Sequence, residues 1–261
     1  MSDTPKSPED ELAGTEQPFV QHLMELRDRL VKATLAIAIA AVALGIYPGP
    51  GPLYDILAAP LVAHLPAGAT LIATSVISPF LVPLKILLMA AFLIALPVVL
   101  YQVWAFVAPG LYRREKRFAL PLLVSSILLF YAGVVFAYYA VFPVMFEFFA
   151  GTTPQGVRMM TDINSYMDFV LTMFFCFGLA FEVPVVVVLL VMTGMMSVER
   201  LAAARGYVLI GIFVIAAILT PPDAISQTIM AVPMYLLYEG GLLMARLVNR
   251  LRRDEEATAD A

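Results

Sequence analysis

Long apolar runs alternate with short polar clusters along the whole chain. A helix that crosses a bilayer needs about 20 mostly apolar residues. The pattern predicts six such spans, at residues 31–47, 78–100, 118–142, 166–193, 206–219 and 225–245. The fifth is short for a full crossing, and only Thr220, Pro221, Pro222, Asp223 and Ala224 separate it from the sixth. Two adjacent prolines favour a turn there over one long helix.

Shorter patterns flank the spans. Phe19, Leu23, Leu26 and Leu30 recur at helical spacing and predict an amphipathic face leading into span one. Between spans one and two, Pro48, Pro50, Pro52, Pro60 and Pro66 punctuate a segment in which Leu53, Ile56, Leu57 and Leu61 predict a short cap on the membrane surface. The division expected is a disordered polar head at 1–16, a six-helix domain at 17–246, and a basic, then acidic, tail at 247–261. The opening residues do not read as a cleavable leader or transit peptide, so span one is expected to be retained.

Composition gives the solvent. The 261 residues are 61% hydrophobic and 14% charged, where a soluble domain is about 45–50% apolar. Mean hydropathy is +0.89, so the fold class expected is an all-α polytopic membrane protein. The net charge of -4 gives no electrostatic case for nucleic acid. Sixteen basic residues report topology. Lys6, Arg27, Arg29, Lys32, Arg113, Arg114, Lys116, Arg117, Arg200, Arg205, Arg246, Arg250, Arg252 and Arg253 fall on one side of a six-span arrangement. Arg158 falls on the other, and Lys85 lies within span two. Basic loops stay inside, which places both termini in the cytoplasm.

Little in the chain seats enzyme chemistry. One cysteine and two histidines leave no disulfide framework and little for a zinc site or a catalytic triad. There is no HExxH, GxSxG or GK[ST] string, and no cofactor is implied. The candidate chemistry lies in a few acids. Glu25 and Arg29 sit four apart in the favourable order, either as a solvated pair or as part of a surface where Glu25 meets a cation. Glu115 stands among four basic residues in the loop after span two, as a salt-bridged acid or as a second carboxylate on the same face. Two carboxylates suit two guanidinium groups. Glu182, near the middle of span four and two residues before Pro184, is expected to face protein, a concavity or a partner helix. Lys85 is expected to snorkel rather than pair with Glu182, and Glu239 to be neutralised by Arg246. Asp223 could cap span six, while Gln227 could bond another helix.

Five strings, in order, resemble the TatC family, the multispanning subunit of the twin-arginine (Sec-independent) protein translocase. They are HLMELRDRL at 22–30, SPFLVPLK at 78–85, YQVWAFVAPGLYRREKR at 101–117, FEVP at 181–184 and TPPDAISQ at 220–227. The resemblance implies a bent, concave helix array in a bacterial or archaeal plasma membrane. It implies binding of twin-arginine signal peptides on folded cargo, assembly with single-span TatA and TatB and with further copies, and transport driven by the proton-motive force. It points to Glu25, Arg27, Phe106 and Glu115 as signal-peptide contacts. Glu182 is the implied intramembrane polar group, Thr220 and Gln227 the implied docking positions for partner helices, and Asp223 an important loop acid. The competing expectation is a proton-coupled small-solute transporter using Glu182. It lacks the internal repeat such folds carry.

Overall fold

The computed structural model describes residues 8–62, 71–107, 119–152, 160–219 and 224–259. Nine α-helices and one π-helical turn make up nearly all of that. Helix α1 covers Pro8–Ile46, α2 Pro50–Val62, α3 Ser78–Val107 and α4 Ala119–Phe136. The π-helical turn Ala137–Val141 joins α4 to α5, Phe142–Gly151. There follow α6 Ile163–Met192, α7 Val198–Ala203, α8 Arg205–Leu219 and α9 Ala224–Ala259. Among the described residues the only β pairing is an isolated bridge between Ile72 and Asp162.

Five helical stretches are long and apolar enough to cross a membrane: Gln21–Ile46, Ser78–Phe106, Leu120–Gly151, Ile163–Met192 and Gln227–Arg250. The fifth expected span is the short apolar helix Arg205–Ile218. At 1.5 Å per residue α8 measures about 22 Å, less than the roughly 30 Å of a hydrocarbon core. The helices overrun the apolar pattern at both ends of the chain. Helix α1 begins at Pro8, where a proline sacrifices no needed donor.

Helix α6 is the axis of the core. One face packs Met167, Val170, Met173, Phe174 and Phe177 against Val82, Ile86, Phe142, Met145, Phe146 and Met230. Further along, Val187, Val188 and Met192 meet Val198, Leu201, Tyr238 and Leu242. Phe142 lies 5.3 Å from Phe174 and 5.6 Å from Phe146, ring centre to ring centre. In lipid there is little hydrophobic gain in bringing helices together, so small residues and close packing set the contacts. A Cβ at Gly133 would come within 2.5 Å of the Phe177 carbonyl oxygen, and one at Gly178 within 2.5 Å of the Phe130 ring. Gly241 brings α9 against Pro184 in the same way, at 2.9 Å. Helix α1 sits at the edge, packed on α3 and otherwise exposing Leu30, Val31, Leu35, Ile39, Val42 and Ile46.

Prolines interrupt α3 at Pro83 and Pro97, α6 at Pro184 and α9 at Pro233. Each lacks an amide and so frees a carbonyl one turn earlier, which a membrane does not rehydrate. Pro97 frees Leu93, and the Tyr131 hydroxyl donates to that carbonyl at 2.6 Å. In the cap helix α2, Pro60 frees Ile56, whose carbonyl takes the Tyr138 hydroxyl at 2.8 Å. Tyr166 donates to the Leu57 carbonyl alongside, at 2.8 Å. The cap is thus pinned to the bundle, with Leu53 and Leu57 packed inward and Ile56 exposed.

Two polar ties close the same end. Asp162 caps α6 by accepting from the Ser165 amide, and accepts from the Thr74 hydroxyl at 2.7 Å and amide at 3.0 Å. Those hydrogen bonds, Thr74 foremost, lower its pKa from 3.8 to about 2. Lys85 does not merely snorkel. Its ammonium donates to Asp168 at 2.6 Å and Asn164 at 3.0 Å, joining α3 to α6.

Candidate functional site

At the end of the bundle where α1 enters, α1 and α3 lie side by side and present the predicted recognition residues together. Positions 22, 25 and 29 of α1 share one helix face, because residues three and four apart are neighbours on a helix. The His22 imidazole stacks on the Phe106 ring, with centres 4.3 Å apart and planes 24° from parallel. Phe106 lies one residue from the end of α3. One turn along from His22, the Glu25 carboxylate accepts from Arg29 through Nε at 3.0 Å and Nη2 at 2.5 Å. Glu25 and Arg29 are both partly buried, while His22 is exposed. Arg27 points away from this group and pairs with Asp28 at 2.8 Å, both exposed. Trp104, two residues before Phe106, is buried. Glu115 lies outside the described residues, so the structure joins Glu25 to Phe106 but does not place the second carboxylate.

Glu182 turns towards α4, where Ser126 donates to its Oε2 at 2.5 Å. Ser126 is almost wholly buried, and Oε1 of Glu182 is buried without a hydrogen-bond partner among the described residues. The expectation that this acid faces protein rather than lipid therefore holds, with a partner that spacing alone did not identify. A polar residue inside an apolar span was the available signal. Gly178, one turn from Glu182, is what lets α4 approach closely enough for the bond.

Near the α1-entry end, the hydrogen bonds to Glu239 come from Arg205, on another helix, rather than from Arg246. The guanidinium donates through Nε at 2.6 Å and Nη2 at 2.8 Å, and Tyr235 adds its hydroxyl at 3.0 Å. Helix α8 begins at Arg205, which places that group beside α9. Behind the pair, α6, α8 and α9 enclose an apolar concavity of about 250 Å³ lined by Cys176, Leu179, Val183, Ile212, Met234 and Tyr238. Gln227 lies half-buried in the first turn of α9. Thr220 and Asp223 lie outside the described residues, and so does the expected capping by Asp223. No three His, Cys, Asp or Glu side chains among the described residues gather to hold a metal ion.

The chain matches the family model "Sec-independent protein translocase protein (TatC)" over residues 21–233. It is 53% identical to the TatC protein of Azotobacter chroococcum over 245 residues, 94% of each chain. Against the TatC protein of Escherichia coli K12 the identity is 48% over 241 residues, 92% of this chain and 93% of that one. A solved crystal structure described as the twin-arginine translocase receptor TatC superposes with a TM-score of 0.76 at 39% identity, covering 87% of this chain and 99% of the other. With its helix array and its sequence both matching along nearly their whole length, this multi-pass membrane protein belongs to the TatC family, a non-enzymatic component of the Sec-independent protein translocase.

Proposed function

We propose that the chain is the receptor and scaffold of its translocase. It binds twin-arginine signal peptides of folded cargo through Glu25, Arg27, Phe106 and Glu115. These residues are cytoplasmic, as are both termini, by the distribution of basic residues. The carrying observation is at Glu25, whose carboxylate already takes a guanidinium in the resting chain, that of Arg29. Both bonds fall on Oε1, and a cargo arginine needs the same charge-assisted geometry.

Helices α8 and α9, with Thr220 and Gln227, receive the single-span TatA and TatB partners, and Asp223 also acts in transport. Six helices, one of them short, do not enclose a path for a folded protein, so transport needs those partners and further copies of the chain. The proton-motive force drives it.

The test is crosslinking of RR and KK signal peptides to purified wild-type protein and to Glu25→Ala and Glu115→Ala. Each substitution is expected to weaken RR labelling while the protein still inserts. Equal labelling across all combinations overturns the reading.

A further inference from the structure

We infer that His22 is a specificity-determining residue that lets the site tell arginine from lysine. The inference rests on the reading of Glu25 as a cargo contact. The imidazole is stacked on Phe106 by one face, and the residue as a whole is exposed, so its other face is open. It stands one turn from Glu25 on the same side of α1, with Arg29 one turn beyond on the opposite flank. A guanidinium drawn to Glu25 from the His22 side therefore meets a carboxylate and a flat ring together. Guanidinium is planar, weakly hydrated and stacks on ring faces while its edge stays hydrogen-bonded. Ammonium is a compact, strongly hydrated point charge and gains much less from the ring. Glu25 alone attracts either cation, so the carboxylate supplies affinity and the ring supplies the choice.

The stack also fixes the ring before cargo arrives. Phe106 belongs to α3 and His22 to α1, and these two helices pack against each other. A ring stacked across the two helices has less rotamer freedom to lose on binding.

The experiment titrates fluorescent RR and KK signal peptides onto full-length protein in non-ionic detergent, with wild type, His22→Ala, His22→Tyr and Glu25→Ala. His22→Ala is expected to lower RR affinity roughly three- to tenfold, the range of a ring–cation contact. KK affinity should stay unchanged, so the preference narrows. His22→Tyr keeps a ring on Phe106 and should restore most of the preference. A purely structural role weakens both peptides alike, and that outcome overturns the inference, as does an unchanged RR-to-KK ratio in His22→Ala. If Glu25→Ala abolishes RR binding while His22→Ala keeps the ratio, only the present inference fails. If Glu25→Ala also binds as wild type, the receptor reading fails with it.

Discussion

The Tyr131 hydroxyl donates to the Leu93 carbonyl at 2.6 Å, and Leu93 stands four residues before Pro97, whose missing amide left that carbonyl free. A side chain of α4 thereby completes the backbone of α3. Tyr131→Phe is expected to cost about 1–3 kcal/mol, the penalty for an unsatisfied group removed from water. Pro97→Ala supplies an amide of its own, so in that background Tyr131→Phe should be close to neutral. Thermal unfolding of the four variants in detergent checks the coupling. Additive losses would show that the hydroxyl is not substituting for the amide.

Ser126 stands in a similar relation to Glu182. Removing its hydroxyl leaves both carboxyl oxygens without a protein partner in the described structure. Ser126→Ala should lower stability by roughly 1–3 kcal/mol, and Ser126→Thr should keep most of it. Glu182→Ala should leave RR-peptide binding intact but impair signal insertion or partner assembly, read as transport into inverted membrane vesicles. Unaltered transport removes Glu182 from the mechanism.

The two close-approach glycines on the α4–α6 seam should differ in tolerance. At Gly133 a Cβ meets backbone, the Phe177 carbonyl, which cannot rotate away. At Gly178 it meets the far edge of the Phe130 ring, which can. Gly133→Ala should therefore be the more damaging, within or above the usual overpacking cost of about 1–3 kcal/mol. Melting temperatures of the two variants decide the order, and a reversed order would falsify this account of the seam.

Asp162 gives a pH dependence of defined sign. Its folded pKa is depressed from 3.8 to about 2 by the Thr74 and Ser165 hydrogen bonds. A depressed acid stabilises above its ordinary pKa and loses that contribution as pH falls through the folded value. Wild type should therefore melt above Asp162→Asn at pH 6, and the gap should close between pH 4 and 2. Parallel melting curves across that window would show that Thr74 is not held through the ionised acid.

Much of the molecule was legible in the pattern of apolar residues. Spans follow from the length of the runs, since a bilayer admits helices of one approximate length. The break between α8 and α9 was expected from Pro221 and Pro222. The pairing of Glu25 with Arg29 was equally local, a matter of one helical turn. Partners contributed by other helices were not legible. Arg205 took Glu239 in place of Arg246, which lies two turns along the same helix, and Asp168 took Lys85. Ser126 met Glu182, and His22 met Phe106. Each pairing depends on which faces of two helices touch, and an apolar run states only that a helix exists, not how it is turned.

By itself, then, the order of residues determined the solvent, the number of spans, their short fifth member and the positions of the costly acids. Those quantities are set by transfer from water to lipid, which acts residue by residue. The folded bundle alone decided which carbonyl each tyrosine repairs, which acid each cation holds and which ring lies beside Glu25. Those choices arise from packing between helices distant in the chain, where a glycine or a proline fixes how near and at what rotation two backbones meet.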